Sequence, residues 1–218
     1  HTNKSIVIKQ GSRDIINEAF RVLRTNLEFM LDAKIENKAS VTLFTSFNPG
    51  SGKTFLTMNT AATFAMKGKR ILVIDGDLRR GSASAYLGSQ HKGLSDYLGK
   101  RESCLDALVQ ENPDIPGFFL LPAGTIPPNP TELLAEPLFK ETIEQLRGHY
   151  DYILIDCPPI DIVADTQIIE KLADRTVFVV RAGLLERDML SELQRMYDEK
   201  RFKNMALLLN GTDRKSVV

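Results

Sequence analysis

Several things are scarce in this chain, and each scarcity closes off a class of protein. Only two of its 218 residues are cysteines, Cys104 and Cys157, so a disulfide-stapled scaffold is excluded and a reducing compartment suits the usage. The three histidines, His1, His91 and His149, are too scattered to suggest a metal site by spacing. Net charge is missing as well: 28 Lys and Arg balance 28 Asp and Glu, which argues against a strongly basic nucleic-acid binder. No apolar run approaches the length of a bilayer span, and no signal peptide is visible. Repeats and low-complexity tracts are absent too. The chain starts at His1 without an initiator methionine, which suits a piece of something larger. The apolar fraction of 43% is ordinary for a globular chain, and the length predicts one α/β domain with a substantial core.

The most informative stretch is Thr45-Ser46-Phe47-Asn48-Pro49-Gly50-Ser51-Gly52-Lys53-Thr54. The apolar run Val41–Phe44 precedes it and reads as a buried strand. A segment with helical spacing, Phe55–Ala65, follows. Strand, Gly-rich turn, Gly-Lys-Thr and helix is the layout of a phosphate-binding loop. Gly50 and Gly52 let the backbone curl so that successive N–H groups point into one concavity, and the helix N-terminus adds partial positive charge. Pro49 to Phe55 are thus the expected nucleotide contacts. Lys53 is expected on the β- and γ-phosphates of ATP, and the Thr54 hydroxyl on Mg²⁺. The common pattern has Gly at position 47, where this chain has Phe47. The plain alternative is a Gly-rich turn that merely starts a helix.

Two further stretches repeat one theme, an apolar strand that ends in acid. Ile71–Ile74 runs into Asp75-Gly76-Asp77-Leu78-Arg79, and Tyr152–Ile155 runs into Asp156-Cys157-Pro158-Pro159. Buried parallel strands read as continuous apolar runs, and ligands gather at their carboxyl ends. Carboxylates there are costly to bury unless something cationic meets them, as Mg²⁺ and Lys53 would. Asp75 and Asp77 are both candidates for the metal and for the base that takes a proton from an attacking hydroxyl; the sequence does not decide between them, and Asp75 is favoured as the base, with Asp77 supporting the metal. Asp156 is expected to contact Mg²⁺ through water.

The remaining segments alternate between strand and helix. Residues 1–12 read as an arm or linker, and 13–212 as the domain. A helix from Asp14 carries an apolar stripe of Ile15, Ile16, Ala19, Phe20, Leu23, Leu27 and Met30, with Glu18, Arg21 and Arg24 on another face. Residues 33–40 read as a loop. Leu94–Leu98 and Leu105–Val109 read as short helices, and Phe118–Leu121 as a strand. Asn129, Pro130 and Glu132 suggest a capped helix running to about Arg147. Strands at Thr176–Val180 and Met205–Asn210 flank a helix from Leu185 to Arg201. Asn210, at the end of the last strand, is a candidate reader of the nucleotide base or else a turn former. The pattern predicts a mostly parallel, doubly wound sheet with helices on both faces.

Together these motifs resemble the bacterial tyrosine kinases of capsule and exopolysaccharide synthesis, which use a phosphate-loop NTPase fold of the deviant Walker type. The likeness runs from about Arg13 to Asn210. Ser46–Thr54 is similar to that family's Walker A loop, Ile71–Arg79 to its additional Asp-x-Asp-x-Arg motif, and Ile153–Pro159 to its Walker B. Glu18-x-x-Arg21-x-x-Arg24 resembles its oligomerisation helix, and Gly124–Leu134 another typical segment. The resemblance implies Mg-ATP as cofactor and transfer of phosphate to tyrosines in the tail of a neighbouring copy within a ring. It also implies a transmembrane chain-length regulator at the cytoplasmic face of the membrane, a phosphatase partner, and no nucleic acid. One departure stands out. The last tyrosine is Tyr197, and the tail that begins at 213–218 has no tyrosine cluster. The rival reading is a cell-division or plasmid-partition ATPase switch of the same fold. Those carry a signature lysine five places before the Walker lysine, and that place here is Asn48.

Overall fold

The computed structural model describes residues 6–30, 38–88, 91–160 and 164–212. The tail at 213–218, the first five residues of the arm and most of the loop expected at 33–40 lie outside these. Seven strands form one sheet: β1 (Ser40–Ser46), β2 (Ile71–Asp75), β3 (Gln110–Glu111), β4 (Phe118–Leu121), β5 (Tyr152–Asp156), β6 (Arg175–Arg181) and β7 (Met205–Asn210). Their order across the sheet is β3-β4-β2-β5-β1-β6-β7. Every pair is parallel except β3 with β4.

β1, β2 and β5 are apolar because both of their faces are covered. Leu43 points into a core shared with Ile74, Ile155, Phe139 and Ile143, while its neighbour Phe44 points into the opposite core with Met58, Phe64 and Val73. The first core lies under α3 (Leu94–Leu98), α4 (Pro130–Ala135), α5 (Pro137–Arg147) and α6 (Asp165–Glu170). The second lies under α1 (Ile15–Met30) and α2 (Lys53–Ala65). A smaller apolar cluster sits between the sheet and α7 (Asp188–Asp198), built on Phe47, Phe178 and Phe202. The register sets Asp75 beside Asp156 and Phe44 beside Asp156, so the ends of β1, β2 and β5 converge.

Several boundaries depart from expectation for physical reasons. The helix expected from Pro130 to Arg147 is two helices. Pro137 has no N–H to donate and forces Glu136 into extended backbone, at φ −64° and ψ 142°. Asn129 makes no side-chain cap. Its amide instead donates to the Glu132 carboxylate at 3.0 Å. The segment expected as a helix at Leu105–Val109 is a 3-10 turn, Asp106–Leu108, that leads into edge strand β3. α7 is shorter than the expected Leu185–Arg201, and α6 was not foreseen.

The described part of the N-terminal arm is docked. Val7 N–H donates to Asn59 of α2 at 2.7 Å, Lys9 N–H donates to Asn17 of α1 at 2.8 Å, and Ile8 is buried. That docking rotates α1 relative to the stripe read from the sequence. Asn17, Phe20 and Leu27 face inward, whereas Ile15 and Ile16 are exposed together with Val22 and Phe29.

Candidate active site

Gly50 and Gly52 adopt left-handed backbone, at φ +78° and +89°. A side chain at position 52 would run into the Asn210 amide, whose Nδ2 donates to the Ser51 carbonyl at 2.9 Å. Glycine is therefore required there by conformation and by space. Phe47, at the place where the common pattern has Gly, is buried edge-on against Phe178, with ring centroids 4.8 Å apart. The loop is thus anchored by an aromatic side chain in the α7 core. Ser51 and Ser46 hydroxyls both donate to the Asn48 carbonyl, at 2.7 and 2.8 Å. α2 starts at Lys53 with no side-chain cap among the described residues, which leaves its first N–H groups to the concavity, as at other anion-binding helix starts.

The loop opens on a cavity of about 530 Å³. Of the expected site residues, Pro49, Gly50, Gly52, Lys53, Thr54, Phe55, Asp77 and Asn210 line it, while Ser51, Asp75 and Asp156 do not. Glu18, Arg21 and Arg24 do not line it either. Among the wall residues that escaped the sequence reading, three carry large polar side chains. Tyr86 and Arg80 project from the segment after β2, and Arg181 from the end of β6 donates to the Gly50 carbonyl at 2.8 Å. Burial and the nearby Asp156 push the Tyr86 hydroxyl up to about 12.

The acids at the end of β2 and two residues beyond it are engaged differently. Asp75 is buried, and its Oδ2 accepts from the Ser84 N–H at 2.7 Å and the Ser84 hydroxyl at 2.6 Å. Its Oδ1 accepts from Asp77 N–H at 3.2 Å. Asp77 Oδ1 accepts from the backbone of Arg79 and Arg80, and the Asp77 side chain reaches the cavity wall. Asp75, favoured from the sequence as base, is therefore turned to Ser84, and Asp77, given there to the metal, lines the cavity. Arg79 is held from the far side. Its Nε donates to buried Asp165 at 3.1 Å and its guanidinium to Thr131 at 3.0 Å, while Thr131 donates to Asp165 at 2.5 Å. Asp165 has no local marker in the sequence; its only signal is this pairing across 86 residues.

Asp156 tests whether the site fits a divalent cation. Its Oδ2 accepts from Thr54 Oγ1 at 2.6 Å, but its Oδ1 is buried with no hydrogen-bond partner among the described residues. Burial pushes the carboxyl up to about 7 and Asp75 adds to this, while Lys53 pulls it down. Asp75 is raised to about 6, chiefly by burial. Among the described residues no cluster of three or more His, Cys, Asp or Glu could hold a metal alone. Thr54, carboxylates and nucleotide phosphates together match the incomplete protein coordination that Mg²⁺ takes.

The raised value has a consequence for stability. The folded state holds the Asp156 proton more tightly than the unfolded chain, so this contribution is complete below the ordinary value of 3.8 and is lost as pH rises through about 7. Asp156→Asn is expected to raise the melting temperature at pH 8 without nucleotide or Mg²⁺ by roughly 2–6 °C and to change it little at pH 4, measured by circular dichroism. An equal shift at both pH values would show that burial of the charge is not the cause.

A seven-stranded, mostly parallel sheet with a phosphate loop after β1 and acids at the ends of β2 and β5 defines a phosphate-loop NTPase. The family described as AAA domain matches residues 40–201. Tyrosine-protein kinase YwqD of Bacillus subtilis is 32% identical over 95% of this chain and 86% of its own. The putative tyrosine-protein kinase AmsA of Erwinia amylovora is 39% identical over 94% of this chain, which spans only 26% of AmsA. Among solved structures, the kinase domain of Escherichia coli tyrosine kinase ETK superposes with a TM-score of 0.81 at 33% identity, covering 92% of this chain and 77% of that one. MinD of Pyrococcus horikoshii, complexed with Mg-ADP, shares the fold at a TM-score of 0.66 and 23% identity, over 83% and 74% of the two chains. The chain belongs to the bacterial tyrosine kinase family.

Proposed function

We propose that this chain is the catalytic domain of an ATP-dependent protein-tyrosine kinase. The observation that carries the reading is Asp77, which lines the same cavity as Lys53 and Thr54 and so offers a carboxylate to an incoming phenol. A tyrosine hydroxyl has a pKa near 10, so its proton must be taken during attack. The acceptor oxygen bonds to the γ-phosphorus and the bond from that phosphorus to the bridging oxygen breaks. ADP leaves with the electron pair, and the phenolic proton passes to Asp77. Lys53 and the free N–H groups of α2 hold the β- and γ-phosphates and offset the charge that develops on them. Arg181 braces the loop through Gly50. Mg²⁺, held by Thr54 with Asp156 behind it, would neutralise phosphate charge. Asn210 stands at the cavity edge, where its amide could meet a base.

The assay is transfer of radiolabel from γ-labelled ATP to a tyrosine peptide and to a copy of the protein bearing a tyrosine-containing tail. Phosphotyrosine supports the kinase. ATP hydrolysis stimulated by DNA or lipid, without phosphotyrosine, would favour the cell-division type of switch.

In its cellular setting the domain works as one copy in a ring, at the cytoplasmic face of a membrane. It is paired there with a transmembrane chain-length regulator and reset by a phosphatase, and it controls polysaccharide polymerisation and export. Kinship with the named kinases supports this setting. The α1 geometry refines the ring contact. Glu18 and Arg21 pair with each other, but Arg24 is only 12% exposed, lies near Glu28 at 3.7 Å, and has a buried Nε without a hydrogen-bond partner among the described residues. Arg24 is thus wedged between α1 and α2, and what α1 presents outward beside Glu18 and Arg21 is Ile15, Val22 and Phe29, spaced seven apart. Replacing Glu18, Arg21 and Arg24 together by Ala is expected to give monomers that bind ATP but phosphorylate a neighbour's tail at least about tenfold more slowly. Light scattering and a trans-phosphorylation assay check this. Normal assembly and rate would reduce the three to an intramolecular role.

A further inference from the structure

A second cavity of about 840 Å³ opens beside the nucleotide cavity, larger than the first and within the size range of ligand clefts. Arg80 belongs to the walls of both. One wall of this groove is the segment after β2, including Gly81 and Ser84. The other is the loop after β4, with Gly124 and Ile126.

The walls are fixed to each other and to the catalytic strand. Ser84 Oγ donates to Asp75 and accepts from Ala123 N–H at 2.8 Å. Behind the second wall, Asp96 Oδ2 accepts from Gly93 N–H and Thr125 N–H, each at 3.0 Å. Gly124 sits at φ +89°, and a side chain there would collide with the Asp96 carboxylate. The groove is therefore preformed, and its geometry depends on that glycine.

Its charge is one-sided. Its cations are Arg80 and Lys92, and no carboxylate lines it among the described residues. The acids close behind it are engaged: Asp96 accepts from backbone N–H groups and from Arg101 Nε at 3.2 Å, and Asp75 accepts from Ser84. Lys92 pairs with Glu102 at the rim. The Arg80 guanidinium makes no ion pair or hydrogen bond among the described residues, although it stands where the two cavities meet. A preformed, cationic groove that leads to the phosphoryl-transfer point suits an anionic chain threaded toward Asp77.

We propose that this groove binds the segment flanking the acceptor tyrosine and selects for acidic groups beside that tyrosine, with Arg80 as the main reader and Lys92 as a weaker one at the rim. Arginine pairs with carboxylate or phosphate through two parallel N–H donors, which fixes position as well as adding attraction. Ile126, exposed at the lip, offers apolar contact to the same segment.

This rests on the kinase reading, and the experiment separates the two. Two labelled peptides are compared, each with one tyrosine, flanked by glutamates in one and by glutamines in the other. Transfer is followed with ATP, and binding by fluorescence anisotropy with a non-hydrolysable ATP analogue. The wild-type protein is expected to prefer the glutamate peptide by about tenfold in kcat/KM and in affinity, an effect of about 1.4 kcal/mol. The preference should shrink as salt rises. Arg80→Gln should bring the ratio to within about twofold, and Lys92→Gln should lower it less. Turnover that uses both peptides equally, or a ratio that survives in Arg80→Gln while both rates fall together, would overturn the proposal and leave the kinase standing. Acidic-peptide binding that is lost in Arg80→Gln, in a protein that transfers phosphate to neither peptide, would uphold the groove and sink the kinase.

Discussion

Lys53→Met is expected to lower phosphoryl transfer at least about a thousandfold, roughly 4 kcal/mol of barrier, while the domain stays folded. Lys53 is buried at the first turn of α2, opposite the carboxylates that end β2 and β5. Its ammonium pulls the Asp156 carboxyl down against burial. The same charge is what a transferring phosphate needs, since the loop N–H groups supply only partial charges. Methionine fills similar space and leaves Asp156 without its counter-charge. That carboxyl should then rise further and be neutral at pH 7, which spares the fold a buried unpaired charge. Far-ultraviolet circular dichroism should match wild type at pH 7, and the melting temperature should fall most at high pH. Transfer at the wild-type rate by a folded variant would remove Lys53 from the chemistry.

Much of the site was legible because its parts are local. The run Ile71–Ile74 lacks alternation because both faces of β2 are covered, and it stops at acids because the strand ends where the ligand space begins. The loop's spacing, with glycines at 50 and 52, follows from the backbone geometry they must adopt. What stayed hidden depends on chain segments meeting across distance. Periodicity found α1 and its inward Phe20 and Leu27, but it also turned Ile15 and Ile16 inward, whereas Asn17 takes the inward place at that end and accepts from the Lys9 N–H of the arm. The break at Pro137 was visible in principle but was overridden by the strong start at Asn129 and Pro130. Arg181 and Tyr86 reach the cavity from a strand end and a 3-10 turn, neither of which carries a motif. Asp165 reports on Arg79 from α6, a helix with no periodic stripe to betray it.

Asp77→Asn is expected to lower kcat by about 10²–10⁴-fold, within the range for loss of a general base, while KM for ATP changes by no more than about threefold. The reason lies in how β2 ends. Asp75 is the last residue of the strand and is delivered into the sheet's interior, where Ser84 folds back to donate both its N–H and its hydroxyl. A carboxylate so occupied has little room for a phenolic proton. Two residues on, Asp77 keeps Oδ1 on the backbone of Arg79 and Arg80. Among the described residues its Oδ2 has no hydrogen-bond partner, and the side chain lines the cavity with Lys53 and Thr54. Arg79, fastened to Asp165 and Thr131, holds that turn in place. Asp75→Asn should act through the turn and cost only about tenfold, because an amide oxygen can still accept from Ser84. The two variants are to be compared with the same tyrosine peptide, with ATP affinity measured separately by a fluorescent nucleotide analogue. A near-wild-type Asp77→Asn beside an inactive Asp75→Asn would return the base to Asp75 and require Ser84 to swing away when the substrates bind.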